Sequence, residues 1–340
     1  MDPAALRAFP IPEVRQRYGP RDAVFYALSV GAAHWADRPR GLDALIDARG
    51  PSVLPTFPVV VGHPGFWLSD PATTVDARGV LHVGEGVRLL APLPPAAEVI
   101  GRTRIVDIVD KGAGRGVLLL LEKEVVEAET GRRLALVTRT LMLRRDGGFS
   151  GTGAEGASGQ GPGPASSSTK AAATRADDPP DFVERVPTRP EQALLYRLNG
   201  DDNPLHVEPE VARTAGFERP ILHGLCTFAI AATAATHALA GGDPARVRAF
   251  SARFTAPVFP GEVLRVEIRR TGPGAAALEV FADAGDRRVL GSGMVEICMP
   301  DGPGGGGPGE DGASRNEASR DGASRDGASR DGANGDGAGT

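Results

Sequence analysis

The sequence predicts an α+β protein made of two repeats, each an antiparallel sheet packed on a helix, and three observations predict it. First, Arg88-Leu-Leu-Ala91-Pro92-Leu-Pro-Pro95 recurs as Arg253-Phe-Thr-Ala256-Pro257-Val-Phe-Pro260, with the same residues at four fixed offsets. Second, each copy is followed by three short segments of alternating apolar character separated by turn residues, the pattern of antiparallel hairpins. Third, the segment from His223 to Gly242 is small-chained and apolar, as suits a helix that approaches a sheet closely.

The elements follow in chain order. Residues 1–146 form the first repeat, opening at Tyr26-Ala-Leu28-Ser29. Its strand-like segments are 101–109, 116–126 and 133–143, with turns at Lys111-Gly112-Ala113-Gly114 and Glu129-Thr130-Gly131. Residues 147–180 are rich in Gly, Ser, Ala and Pro and read as a flexible linker. The second repeat, residues 181–300, opens at the matching Tyr196-Arg-Leu198-Asn199. Pro209 suits a first helical position and Gly216 the residue past a last turn, so a short helix is expected between them. The long helix follows and stops at Gly241-Gly242. Segments 262–270, 276–284 and 288–297 complete a second sheet, with a turn at Ala284-Gly285-Asp286. The last forty residues repeat Asp-Gly-Ala-Ser-Arg and hold 13 of the 46 glycines, so residues 301–340 are expected to be disordered.

Charge and cysteine content exclude several classes. The chain has 38 Lys+Arg against 43 Asp+Glu, and most of the acidic excess lies in residues 301–340, where eight carboxylates face four arginines. Residues 1–300 are therefore nearly neutral, with no cationic stripe for nucleic acid. Cys226 and Cys298 are too few and too far apart for a disulfide framework or a metal knuckle, which fits a reducing compartment. No apolar run reaches the roughly 18 residues of a membrane span, and the first twenty residues have no signal-peptide core. A soluble cytoplasmic protein is expected, and the final residues do not form a Ser-Lys-Leu peroxisomal address.

The chemistry should sit where the repeats differ. After the shared Tyr-x-Leu start, the second repeat reads Gly200-Asp201-Asp202-Asn203-Pro204-Leu205-His206, whereas the first reads Val30-Gly31-Ala32-Ala33-His34-Trp35. On a regular helix Asp201 and His206 would lie about 140° apart. Pro204 biases Asn203 away from the helical region, so a turn can aim both side chains at one water. The same residues also make an ordinary Asx turn. At Pro220-Ile-Leu-His223-Gly224 the first amides of the long helix lack intrahelical acceptors and lie at its electropositive end, ready for an oxyanion. Alternatively, Gly224 only packs closely against a strand, and His223 is a capping or packing residue. The glycines at 112, 114 and 116 join two strands with no helix following, so they read as a hairpin and not a phosphate loop. No G-x-S-x-G elbow occurs. Asp201, Asp202 and His206 are joined by no second ligand cluster, so no metal is assigned.

Tyr196 to His206, followed by Pro220 to Gly224, resembles the hydratase 2 signature of the MaoC-like family, the (R)-specific enoyl-CoA hydratases. The first repeat resembles the amino-terminal repeat of two-repeat members through Asp22 to Gly31, Leu54 to Phe57 and Ile105 to Gly112. The resemblance covers nearly all of residues 1–300. It implies a double hot dog fold with a catalytic second repeat and a degenerate first repeat that accommodates the acyl chain. It further implies that Asp201 and His206 activate water for addition to a trans-2-enoyl thioester, that Asn203 orients them and that the Gly224 amide polarises the carbonyl. His82, Lys111 and Phe254 match substrate-contacting positions, as do Asp202, Pro204 and Leu205 of the turn. Each of the first three also has a plain reading: His82 as a strand end, Lys111 as a solvated hairpin residue and Phe254 as core. Val83 stands where the family usually has glycine. The implied ligand is an acyl-CoA thioester, with no further cofactor, and a homodimer is plausible. The alternatives are a hot dog thioesterase and a noncatalytic acyl-CoA-binding subunit.

Overall fold

The computed structural model describes residues 1–150 and 179–299. The expected tail, and the expected linker apart from its first four and last two residues, lie outside the described residues. Both repeats belong to one compact unit spanning Met1–Pro300.

In the first repeat, helix α1 (Pro3–Ala8) is capped by the Asp2 carboxylate. Strand β1 (Val14–Tyr18) and helix α2 (Pro20–Ser29) follow. Residues 30–79 contain only short 3-10 turns, and then come β2 (Val80–Leu89), β3 (Ala97–Asp110), β4 (Val117–Glu127) and β5 (Arg133–Leu143). The second repeat has β6 (Phe182–Pro187), α3 (Gln192–Tyr196), α4 (Pro209–Thr214), α5 (Gly224–Ala240), β7 (Val247–Phe254), β8 (Val263–Gly272), β9 (Ala275–Ala282) and β10 (Arg287–Ile297). All six expected strands form within a few residues of their expected limits. Both expected helices of the second repeat form as well.

All ten strands join one antiparallel sheet in the order β1-β3-β4-β5-β2-β7-β10-β9-β8-β6. Read outward from the central β2–β7 pair, each repeat has the same strand order, so the duplication seen in sequence is a duplication in space. The seam register shares this symmetry. The offset that places Arg88 on Arg253 also places Gly86 on Ser251, and Gly86 and Ser251 face each other across the seam. A two-fold relating the repeats therefore passes through that pair.

The helix on which the sheets pack is present in full only in the second repeat. Nearly every side chain of α5 is buried, including Phe228, Ile230 and seven alanines from Ala229 to Ala240 that are buried or half-buried. Phe228 packs edge-on against Phe250 of β7 at 4.7 Å between ring centroids. Gly241, in the left-handed region at φ 64°, ends the helix, and the Gly242 amide donates back to the Thr236 carbonyl. In the first repeat, Pro39, Gly41, Pro51, Pro55, Pro58, Gly62, Pro64, Gly65 and Pro71 interrupt the corresponding stretch, and no long helix forms there. Trp35, Val53, Leu54, Phe57, Val59 and Val61 from this stretch join the same buried cluster as α5. A second cluster, with Leu6, Trp67, Leu68, Leu119, Leu141 and Leu143, lies on the first repeat alone. Among the described residues, no helix is long and apolar enough to cross a membrane.

Candidate active site

The turn after α3 begins at Gly200, whose φ of 104° only glycine adopts without strain. Asn203 is extended (φ −56°, ψ 117°), and Pro204–His206 make a single 3-10 turn that Asn203 caps by accepting from the Leu205 amide at 3.1 Å. This geometry brings Asp201 and His206 together, where a continuous helix would have parted them. It also shows how Asn203 acts: its side chain holds the backbone turn. Among the described residues it makes no bond to the side chain of Asp201 or His206. The backbone amide of Asn203 donates weakly to Asp201 Oδ1 at 3.4 Å.

A third group completes the cluster. Ligand atoms of Asp201, His206 and His223 all lie within 4.8 Å of one another. The two imidazoles stack at 3.7 Å with 27° between planes, and the Tyr196 ring lies 4.9 Å from that of His223, tilted by 49°. Hydrogen bonds fix both tautomers. His206 Nδ1–H donates to the Ile221 carbonyl at 2.8 Å, leaving Nε2 as the lone pair. His223 Nε2–H donates to the Asp201 carbonyl at 3.3 Å, and its buried Nδ1 has no hydrogen-bond partner among the described residues. Burial, outweighing the carbonyl of Ile221 and the charge of Asp201, lowers the pKa of His206. Burial and the neighbouring His206 ring push His223 down to about 4. Both rings are therefore neutral near pH 7.

This donor set fits acid–base chemistry better than a metal. Imidazole lone pairs lie in the ring planes, so two stacked rings cannot both point at one ion about 2 Å away. They can share a water with the Asp201 carboxylate. A water bound there would find two acceptors, His206 Nε2 and the Asp201 carboxylate.

Gly224 begins α5, directly after His223. The amides of Cys226 and Thr227 return to the His223 carbonyl, so the Gly224 amide precedes the first helical bond and is available to an oxyanion. A β-carbon at 224 would lie 3.1 Å from the ring of Phe254. That ring meets His82 edge-on at 4.7 Å. The structure thus assembles Asp201, His206, Gly224, Phe254 and His82 as one wall, with half-buried Asp201, Gly224, Phe254 and His82 around buried His206 and His223. Val83 is the extra residue of a β-bulge between His82 and Gly84, so the valine at the family's glycine position sits where the strand bends.

Other expected positions lie elsewhere. Asp202 is 76% exposed and pairs with Arg197 at 3.1 Å. Pro204 is exposed and Leu205 half-buried on the turn itself. Lys111 sits at the β3–β4 hairpin, three strands and roughly 14 Å from β2, which carries His82. In the first repeat, the segment matching the catalytic turn serves packing: Trp35 stacks on His237 at 5.3 Å, and Ser29 bonds to Gln192 and Asn199.

The sequence reading missed His223 as a member of the site, and it missed the groups behind His82. Glu85, fully buried, forms a two-pronged pair with Arg139 at 2.9 and 3.0 Å and accepts from His82 Nε2 at 2.9 Å. Burial raises the Glu85 carboxyl, but Arg139 and His82 outweigh it and hold it down at about 2. Arg139 also meets His63, and buried Lys123 donates to the Val59 and Val61 carbonyls. Burial, reinforced by Arg139, lowers Lys123 to about 7.

Comparison with known proteins identifies both repeats. Residues 17–145 match the MFE-2 hydratase 2 N-terminal domain, and residues 171–284 match the MaoC like domain. The chain is 38% identical over 306 residues to 3-hydroxyacyl-thioester dehydratase Y of Mycobacterium tuberculosis, covering 87% of this chain and 98% of that protein. It is 37% identical to the peroxisomal enoyl-CoA hydratase 2 of Arabidopsis thaliana, over 77% of this chain and 85% of that one. A MaoC-like dehydratase from Phytophthora capsici superposes with a TM-score of 0.71 at 24% identity, over 88% of this chain and all of the other, which carries the fold. A duplicated sheet on a buried helix, an acid and two imidazoles at that helix's amino end, and matches across both repeats lead to one conclusion: the chain belongs to the MaoC-like hydratase 2 family and has its double hot dog fold.

Proposed function

We propose that the protein is an (R)-specific 2-enoyl-CoA hydratase, adding water reversibly to a trans-2-enoyl thioester. The observation that carries this reading is the meeting of Asp201 and His206 beside the free first amide of α5. With the thioester carbonyl at the Gly224 amide, electron density drawn toward that oxygen makes C3 electrophilic. Water held by Asp201 and His206 Nε2 gives up a proton as its oxygen bonds to C3, and C2 receives a proton to give the 3-hydroxyacyl thioester. The reverse path dehydrates the product at the same site. The names of the relatives support this reading, being an enoyl-CoA hydratase 2 and a 3-hydroxyacyl-thioester dehydratase.

A coenzyme A thioester as substrate, a cytoplasmic setting and a homodimer are parts of the same proposal. Light scattering of the pure protein tests the last. The chemical test is incubation with trans-2-decenoyl-CoA while following the enoyl absorbance and free thiol. Loss of absorbance without thiol, with a product oxidised only by a (3R)-specific dehydrogenase, is the expected outcome. Thiol release instead would identify a thioesterase, and no change would identify a binding subunit.

A further inference from the structure

The first repeat has no catalytic turn, yet it gathers five ionisable side chains beside the site: Glu85 and Lys123 buried, and His63, His82 and Arg139 half-buried. Such a group is expensive to bury for packing alone, since neutral residues fill space without desolvating a charge. The cluster is continuous with the wall described above. Glu85 and Arg139 face each other across the β2–β5 ladder and form a two-pronged pair, with Glu85 at 0% and Arg139 at 16% side-chain exposure. The remaining reach of the Glu85 carboxylate goes to His82 Nε2. That nitrogen also lies 3.1 Å from the Gly84 carbonyl. Two acceptors at one ring nitrogen require it to carry the proton, so Nδ1 is left as the lone pair of the neutral ring. The ring, 26% exposed, then rests on Phe254, which in turn rests on Gly224.

We propose that Glu85, clamped by Arg139, is a positioning residue for the hydration reaction: it locks the orientation and tautomer of His82, and the His82 ring braces Phe254 against the start of α5. The first repeat thereby sets the place of the oxyanion-binding amide contributed by the second. This inference rests on the hydratase reading.

The test uses the full chain, trans-2-decenoyl-CoA and four variants, the last being the triple Glu85→Gln/Arg139→Met/His82→Leu. Glu85→Gln replaces the carboxylate by an amide of the same shape. Glu85→Gln/Arg139→Met removes both charges and avoids leaving a buried cation alone, which by itself can unfold a protein. His82→Leu breaks the link without touching a buried charge. Nitrogen NMR of the His82 ring should show Nε2–H alone in the parent and a mixture with Nδ1–H in Glu85→Gln, where the Gly84 carbonyl is the one full acceptor left at Nε2. Each folded variant should lose about tenfold or more in kcat, with KM changed far less, because the amide acts on the transition state. The triple variant should be no worse than His82→Leu alone, since the three residues act through one contact. Losses that multiply, kcat within twofold of the parent in a folded double variant or in His82→Leu, or a parent ring protonated only at Nδ1 would each overturn the proposal. A parent that does not hydrate the substrate would instead remove the hydratase reading itself, and the positioning role of Glu85 with it.

Discussion

Two neutral imidazoles stacked beside one carboxylate set the pH behaviour of the site. Only the neutral form of His206 can accept a proton, and burial lowers its pKa, so activity should persist below the ordinary histidine value of about 6.5 and fail only as pH drops further. A profile of kcat/KM against pH checks this, and an acid limb at or above 6.5 would contradict it. His223 adds a stability effect with a definite sign. Its folded value is about 4 and its unfolded value about 6.5, so the unfolded chain binds the extra proton. Stability should be full above pH 6.5 and decline toward pH 4, and His223→Phe should flatten that decline in thermal melts. At this scale the sequence was only partly legible. Asp201 and His206 are recognisable because Pro204 forces a turn between them. His223 looks like a cap from its position, and only the fold brings its Nε2 to the Asp201 carbonyl. Glu85 and Arg139 gave no local signal, because two charges in separate strands reveal a pair only once the strands are in register.

At the scale of elements, the start of α5 matters most for chemistry. Gly224 has no positive φ to require glycine, so its constraint is the Phe254 ring 3.1 Å from a would-be β-carbon. Gly224→Ala should therefore shift the first turn of α5 and lower kcat, by up to about 100-fold if the amide loses its oxyanion. Stability should change by less than about 1 kcal/mol, because alanine is the better helix residue. Steady-state kinetics alongside a denaturant titration separate the two effects. Six strands were legible because their apolar residues alternate between clear turns. The seam strands β2 and β7 were not: their Gly, Ala, Ser and Arg content reflects close approach of two repeats, a long-range requirement that no local pattern records. The edge strands β1 and β6 are five and six residues long, too short for alternation to stand out.

At the scale of the whole molecule, the two repeats should unfold as one body. Residues of both repeats, from Tyr26 and Phe57 to Phe228 and Phe250, share a single buried cluster, and the sheet runs unbroken across the seam. Phe228→Ala should cost about 3 to 5 kcal/mol and lower one common transition. Two separated transitions in calorimetry would show that the repeats fold independently. The duplication was visible from four matched residues. The missing central helix of the first repeat was not foreseen, although its prolines and glycines explain it. That asymmetry divides the labour proposed here, with one repeat supplying the reacting groups and the other the wall against which they are held.

The central claim is that Asp201 and His206 together activate water at the amino end of α5. The most direct measurement compares the parent with Asp201→Asn and His206→Gln for turnover of trans-2-decenoyl-CoA, with circular dichroism to confirm that each variant is folded. The account predicts hydration by the parent and a loss of about 100- to 10,000-fold in both variants. Turnover within a few fold of the parent in either folded variant would contradict it.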